Sequence, residues 1–219
     1  MSLASVDVIP GWECFDWRNG MVVLQNAHPA EWNDIREILT GFRLRHSDLT
    51  AKGKGNKSAM AGALDSAFYA RGWTERQFHT AIQVDGDISE TPTHDIDCFR
   101  GKVALELEWN NKDPFYDRDL NNFRLLYDLR VADVGVVVTR TTGLQRWLHA
   151  NHARFGKAAS AYGGSTTHMD KLTPRILGGG AGGCPLFVAA MTETLYVDDR
   201  DQTPAPSSRI TSATPVKRA

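Results

Sequence analysis

Apolar residues recur along this chain at two different spacings, and the places where the spacing changes outline its elements. After Pro29, residues Trp32, Ile35 and Leu39 fall three or four apart and Gly41 follows. That spacing predicts an amphipathic helix opened by proline and stopped by glycine. A second helix is expected over residues 58–71, with Leu64 and Phe68 on one face and Gly72 at its end. Residues 122–130 and 142–152 also read as helical. Strict alternation over residues 103–109 marks the clearest strand. The runs 131–138 and 185–192 suit buried strands. Residues 21–24, after the Asn19-Gly20 turn signal, and 79–84, before Asp85-Gly86, read as two more strands. Residues 158–183, rich in Gly, Ser and Thr, read as one long loop of the kind that carries function. From residue 198 the periodicity stops and three prolines appear, so residues 1–197 are expected to form one domain and 198–219 a disordered tail. Interleaved strands and helices predict an α/β (α+β) fold, a central mixed sheet flanked by helices.

Composition narrows the picture. A chain of 219 residues that is 42% hydrophobic can bury one substantial core. A net charge of -1 excludes a uniformly basic nucleic-acid coat, though not a local basic patch. Cys14, Cys98 and Cys184 are scattered and odd in number, which argues against a disulfide framework or zinc knuckle and fits a reducing cytoplasm. The first ten residues lack a secretory pattern, and no apolar run approaches 18 residues, so a cytoplasmic location is expected. His149 and His152, three apart on an expected helix, have no partnering acid or cysteine motif and read as ordinary surface or core histidines.

The chemistry concentrates around residues 97–108. Alternation places Val103, Leu105, Leu107 and Trp109 on one strand face and Ala104, Glu106 and Glu108 on the other. The two glutamates then project the same way, roughly 7 Å apart along the strand. Asp97 precedes Glu106 by nine residues, and a turn at Gly101 would return it beside Glu106. Carboxylates this close repel, and a hard divalent cation such as Mg²⁺ relieves the conflict. Such an ion activates water and stabilises charge on a phosphodiester, leaving Glu108 to orient or deprotonate that water. The plainer reading is a half-exposed strand with glutamates on its wet face. Against it, Asp97 lies between Ile96 and Cys98, at the edge of an apolar run.

The stretch from Ile96-Asp97 through residues 102–120, with Leu-Glu-Leu-Glu-Trp-Asn-Asn-Lys-Asp-Pro at its centre, resembles the active-site segment of BglII/BstYI-type restriction endonucleases in the PD-(D/E)XK nuclease superfamily. Residues 130–140 and 183–190 are also similar, and the resemblance spans roughly residues 50–195. It implies a homodimer straddling a short palindromic site in double-stranded DNA, cutting with Mg²⁺ (Mn²⁺ as a substitute) and leaving 5′ overhangs. It hints at a GATC-centred hexamer and a companion DNA methyltransferase that is not a stable partner. Asp97, Glu106 and the Leu107 carbonyl would be metal ligands. Glu108 stands where the superfamily usually has Lys and the BglII type has Gln, while BamHI-like relatives carry Glu, so its role as ligand, base or water-orienter stays open. For a further polar residue upstream of the aspartate, His79 and Gln83 are the candidates. A repair or junction-resolving nuclease of the same superfamily and a non-catalytic DNA-binding protein are the alternatives.

Expected DNA contacts fall in three segments. Lys52, Lys54, Asn56 and Lys57 lie in a Gly-rich basic stretch that also contains Arg43 and Arg45 and is suited to phosphates. Asn110, Asn111 and Lys112 leave the active-site strand directly, and asparagine can read an adenine edge bidentately. Ser165, Thr166, Thr167, His168, Lys171 and Arg175 sit in the 158–183 segment and have side chains fit for bases and phosphates.

Overall fold

In a computed structural model, which describes residues 3–51 and 58–201, a seven-stranded mixed sheet runs through the molecule. The elements in chain order are β1 (Ala4–Val6), β2 (Trp12–Trp17), α1 (Gly20–Ala27), α2 (Pro29–Gly41), β3 (Leu44–Arg45), α3 (His46–Thr50), α4 (Ala59–Tyr69), β4 (Thr74–Arg76), β5 (His79–Val84) and β6 (Asp87–Pro92). They continue with β7 (Ile96–Arg100), β8 (Val103–Leu107), α5 (Phe115–Asp128), β9 (Val134–Arg140), α6 (Thr142–Ala150), α7 (Met169–Leu177), β10 (Leu186–Met191) and β11 (Tyr196–Val197). The sheet order is β1-β2-β10-β9-β8-β7-β4. Strands β8, β9 and β10 are parallel at its centre, and β2 and β7 flank them antiparallel. The mixed sheet flanked by helices is the α/β architecture expected from the sequence.

Alternation on the central strands divides the core. Val103, Leu105 and Leu107 of β8, with Val136 and Val138 of β9, pack against Leu24, Ile35, Leu39, Leu64 and Leu144 from α1, α2, α4 and α6. Ala104, Val137 and Val188 face the other way, onto Tyr116, Leu120 and Phe123 of α5 and Leu172 and Ile176 of α7. Both faces are covered, so every residue of β8 is buried. A half-exposed strand with wet glutamates is therefore not what forms: a parallel neighbour and helices on either side leave no wet face.

Two further expectations change. Residues 21–24 belong to α1 rather than to a strand. Asn19 is left-handed (φ 62°), and a Cβ on Gly20 would lie 2.3 Å from the Leu186 backbone, so the chain turns and presses a helix onto β10. Residues 158–183 are not all loop, because α7 lies within them. Its Met169, Leu172 and Ile176 bury one face, a spacing hidden in the sequence by the surrounding Gly, Ser and Thr and by Pro174 inside the helix. Boundaries also shift: α5 starts at Phe115, ahead of residue 122, and β9 starts at Val134. The tail expected from residue 198 lies, beyond Asp201, outside the described residues. Among the described residues no helix is long and apolar enough to cross a membrane.

Candidate active site

Gly101, at φ +57°, makes the turn that folds β7 back onto β8. Paired backbone register between them extends from Arg100↔Val103 to Cys98↔Leu105 and ends there. Past that point side chains take over the ladder. The Asp97 N–H donates to Glu106 Oε2 at 3.3 Å, and the Leu107 N–H donates to Asp97 Oδ2 at 2.9 Å. Each carboxylate thus holds backbone of the other's strand, and the two acids are fixed side by side. The carbonyl of an extended residue points the same way as its N–H, so Leu107 directs its oxygen toward Asp97 as well. Tyr69 of α4 anchors the far side, its hydroxyl donating to the Asp97 carbonyl at 3.1 Å.

Glu108 is one strand step further and is held differently. Asn111 Nδ2 donates to its Oε2 at 3.0 Å, and the Arg118 guanidinium stands 3.8 Å from its Oε1. Arg118 also grips Asp119 at 2.9 Å. Among the described residues no three acidic, histidine or cysteine side chains converge as a ready cage for an ion. Asp97 and Glu106 are the pair that hold each other's strand, and Glu108 adds its charge to the one Glu106 meets.

Burial sets the electrostatics. Glu106 and Glu108 are each 1% exposed. Desolvation first, and then the neighbouring Asp119 and Asp97, push the Glu106 carboxyl well above its ordinary value. Glu108 is pushed up to about 9, by desolvation first and then by Asp119. Asp119 is also raised by burial, against the opposing pull of Arg118. Glu106 Oε1 is buried and has no hydrogen-bond partner among the described residues. Several carboxyls thus share little positive charge, and Glu106 and Asp119 each keep one oxygen without a hydrogen-bond partner among the described residues. An all-oxygen donor set with an unfilled acceptor fits a hard divalent cation.

The site opens into a cleft of about 660 Å³ whose floor includes Asp97, Leu107 and Glu108. Asn110 and Asn111 rim it from the sheet, Leu49 and Ala61 from α3 and α4, and Lys157 and Tyr162 from the segment after α6. Asn110 and Asn111 are exposed. The stretch 110–113 lies against residues 165–167: Lys112 bridges to Thr166, Asp113 N–H donates to the Ser165 carbonyl at 2.9 Å, and Thr167 N–H to the Asn111 carbonyl at 2.9 Å. Two of the expected DNA segments therefore form one short ribbon. Within it Ser165 is exposed, whereas Thr166, Thr167 and His168 are buried and build the ribbon rather than present themselves at its surface. Lys171 and Arg175 approach Asp113 at 3.8 and 3.7 Å. Lys52, Lys54, Asn56 and Lys57 lie outside the described residues.

His79 and Gln83 are exposed on the β5–β6 hairpin, outside the cleft lining. Sequence reasoning overlooked two buried acids nearer the site, Asp65 on α4 and Asp119 on α5. The signal was present: each interrupts an apolar stripe, Asp65 beside Leu64 and Phe68, Asp119 between Tyr116 and Leu120.

Residues 12–191 match the family model described as restriction endonuclease BglII/BglIII. The matched span runs from β2 to the end of β10 and includes every residue of the acidic site. Among curated proteins none matches the chain.

Proposed function

The chain belongs to the BglII/BglIII restriction endonuclease family, and on that footing we propose that it is a type II enzyme that hydrolyses double-stranded DNA with Mg²⁺ at the Asp97–Glu106 pair. One observation carries the assignment of the site: the reciprocal lock between these two acids, which leaves Glu106 Oε1 buried without a donor beside an open cleft.

In this reading Asp97, Glu106 and the Leu107 carbonyl hold the ion, and Mn²⁺ substitutes for Mg²⁺. When bound, the ion makes water a better nucleophile and offsets charge building on the scissile phosphate. The chain's own residues do the rest. Tyr69 and the Leu107 N–H keep Asp97 from turning away. Asn111 fixes the rotamer of Glu108 at the cleft floor, and a cation bound beside it would offset the burial that raises its proton affinity, leaving a carboxylate able to take a proton from water. The basic segment with Lys52, Lys54, Asn56 and Lys57 contacts phosphates, and Asn110, Asn111, Lys112, Ser165 and Lys171 contact the DNA from the ribbon. Thr166, Thr167 and His168 support that surface from beneath. The active form is a homodimer, each subunit cutting one strand of a palindrome to leave 5′ overhangs, with a separate methyltransferase protecting host DNA.

Digestion of plasmid with Mg²⁺, with and without EDTA, followed by mapping of the fragment ends, tests the reading. Discrete fragments with one terminal sequence and a 5′ overhang, lost with chelator, are expected. Cleavage confined to branched or damaged DNA would replace it with a repair or resolving nuclease. A gel shift on uncut plasmid would leave a DNA-binding protein.

A further inference from the structure

Arg140, at the end of β9, is a buried cation held entirely by neutral groups. It is 0% exposed, and among the described residues no carboxylate lies within ion-pair distance of it. Its guanidinium donates to the Trp109 carbonyl, to Asn110 Oδ1 from both terminal nitrogens at 3.2 Å, and to Thr166 Oγ1 at 2.7 Å. The Trp109 and Tyr162 rings lie 5.1 and 5.9 Å from it. Burying a charge without a counter-ion costs several kcal/mol, so the arrangement calls for an explanation beyond stability. Burial lowers the guanidinium only to about 10, which leaves it charged at neutral pH.

The explanation lies in what Arg140 does to Asn110. An amide oxygen has two acceptor sites and an amide nitrogen two donors. Two N–H groups of Arg140 occupy the oxygen, and the reverse orientation of the amide would set donors against donors. The nitrogen of Asn110 is left at an exposed position on the rim of the cleft that contains Asp97 and Glu108. Asn111 is committed in the opposite sense, with its nitrogen donating to Glu108 and its oxygen left over. Bidentate reading of adenine needs both ends of one amide, and in Asn110 one end is already taken.

We propose that Arg140 is a positioning residue that presents Asn110 to DNA as a donor only, so that Asn110 binds a hydrogen-bond acceptor: a purine N7, guanine O6 or thymine O4, or a phosphate oxygen. The inference rests on the restriction-endonuclease reading. Because the same guanidinium ties Thr166 to Trp109, it also sets the ribbon of residues 110–113 and 165–167 in register with the catalytic strand.

Asn110→Asp separates this role from a structural one. The carboxylate matches the amide in shape and gives the buried Arg140 the charge partner it lacks, so the variant should melt at or above the wild-type temperature. It also puts an acceptor where the DNA needs a donor. Affinity for the fragment that the wild-type enzyme cuts, measured with Ca²⁺ in place of Mg²⁺, should fall about 10- to 100-fold, the range of one good base-edge contact. A loss confined to the cut sequence identifies a base edge. An equal loss on all sequences, with a shallower salt dependence, identifies phosphate. Arg140→Lys keeps the charge but not the fork, and should lose sequence discrimination more than it loses affinity for unrelated duplex. A wild-type protein that cuts DNA, together with an Asn110→Asp variant that binds it equally well, overturns the inference. A wild-type protein that neither binds nor cuts duplex DNA overturns the restriction-endonuclease reading and this inference with it.

Discussion

Replacing Glu106 by Gln should stabilise the metal-free protein and end cleavage in the same stroke. The side chain is fully buried, and its carboxyl keeps its proton well above the ordinary value of 4.5 because of burial and the neighbouring Asp119 and Asp97. Between 4.5 and that raised value the folded state binds more protons than the unfolded chain. The contribution of Glu106 to stability is therefore greatest below 4.5 and is lost as pH rises. At pH 7 the free energy of keeping this acid protonated has a ceiling of about 3 kcal/mol, set by the gap to its unfolded value at 1.36 kcal/mol per pH unit. Glutamine avoids that term, and its Oε1 can still accept from the Asp97 N–H. A gain of about 1–3 kcal/mol corresponds to several degrees in melting temperature for a domain of this size. Thermal melts in EDTA from pH 5 to 9 should show the variant ahead of wild type by a margin that widens with pH. Adding Mg²⁺ should close or reverse the gap, since an ion at about 100 times its dissociation constant contributes about 2.7 kcal/mol to wild type alone. A metal-free variant that melts below wild type at pH 8, or one that keeps the full Mg²⁺ response, would refute the reasoning.

Asp97→Asn should abolish plasmid cleavage while gel-shift affinity for DNA is kept or tightened; full activity would remove Asp97 from the site. Arg118→Ala removes the cation that opposes the upward shift of Asp119 and Glu108, so the acid limb of the single-turnover pH–rate profile should move to higher pH, and an unmoved limb would contradict the proposed use of Glu108. Gly20→Ala places a methyl group 2.3 Å from the Leu186 backbone and should cost about 3 kcal/mol or more in urea unfolding, whereas wild-type stability would show that α1 can lift from β10. Lys52→Ala should weaken binding to all duplex sequences alike and lower the salt slope by about 1; a loss restricted to one sequence would mean a base contact.

The sequence was most legible where a single physical demand acted alone. Strand β8 could be read because its alternation is imposed by the pleat, and α2 because Pro29 and Gly41 bracket a regular apolar stripe. The closeness of Asp97 and Glu106 followed from one glycine turn. Reading failed where tertiary packing overruled local pattern. Four apolar residues after Asn-Gly satisfy a strand and a helix equally well, and only the close approach of Gly20 to β10 decides between them. Helix α7 was hidden because its polar face and flanks have the composition of a loop. Asp65 and Asp119 were passed over because acids on a helix are ordinarily solvated, and their burial depends on how α4 and α5 lie across the sheet end.

One feature of the charge distribution links the site to the substrate more closely than composition does. Glu106, Glu108 and Asp119 are buried near one end of the sheet, and Arg140 is buried on the neighbouring strand. A protein selected only for stability would pair Arg140 with one of these acids or replace such groups with apolar ones, since a buried charge without a partner destabilises. Here the fold keeps them apart. Arg140 donates to a carbonyl, an amide and a hydroxyl and keeps its Nε without a partner among the described residues, while Glu106 keeps one oxygen without a donor. In the reading proposed above, Glu106 is then left to meet a cation, and the positive field of Arg140 acts on phosphate rather than on a neighbouring carboxylate. A net charge of -1 is therefore no obstacle to gripping a polyanion: on the proposed reading the substrate would meet a cation-seeking pocket beside a cation-backed ribbon, a pair that matches a phosphodiester accompanied by its metal ion.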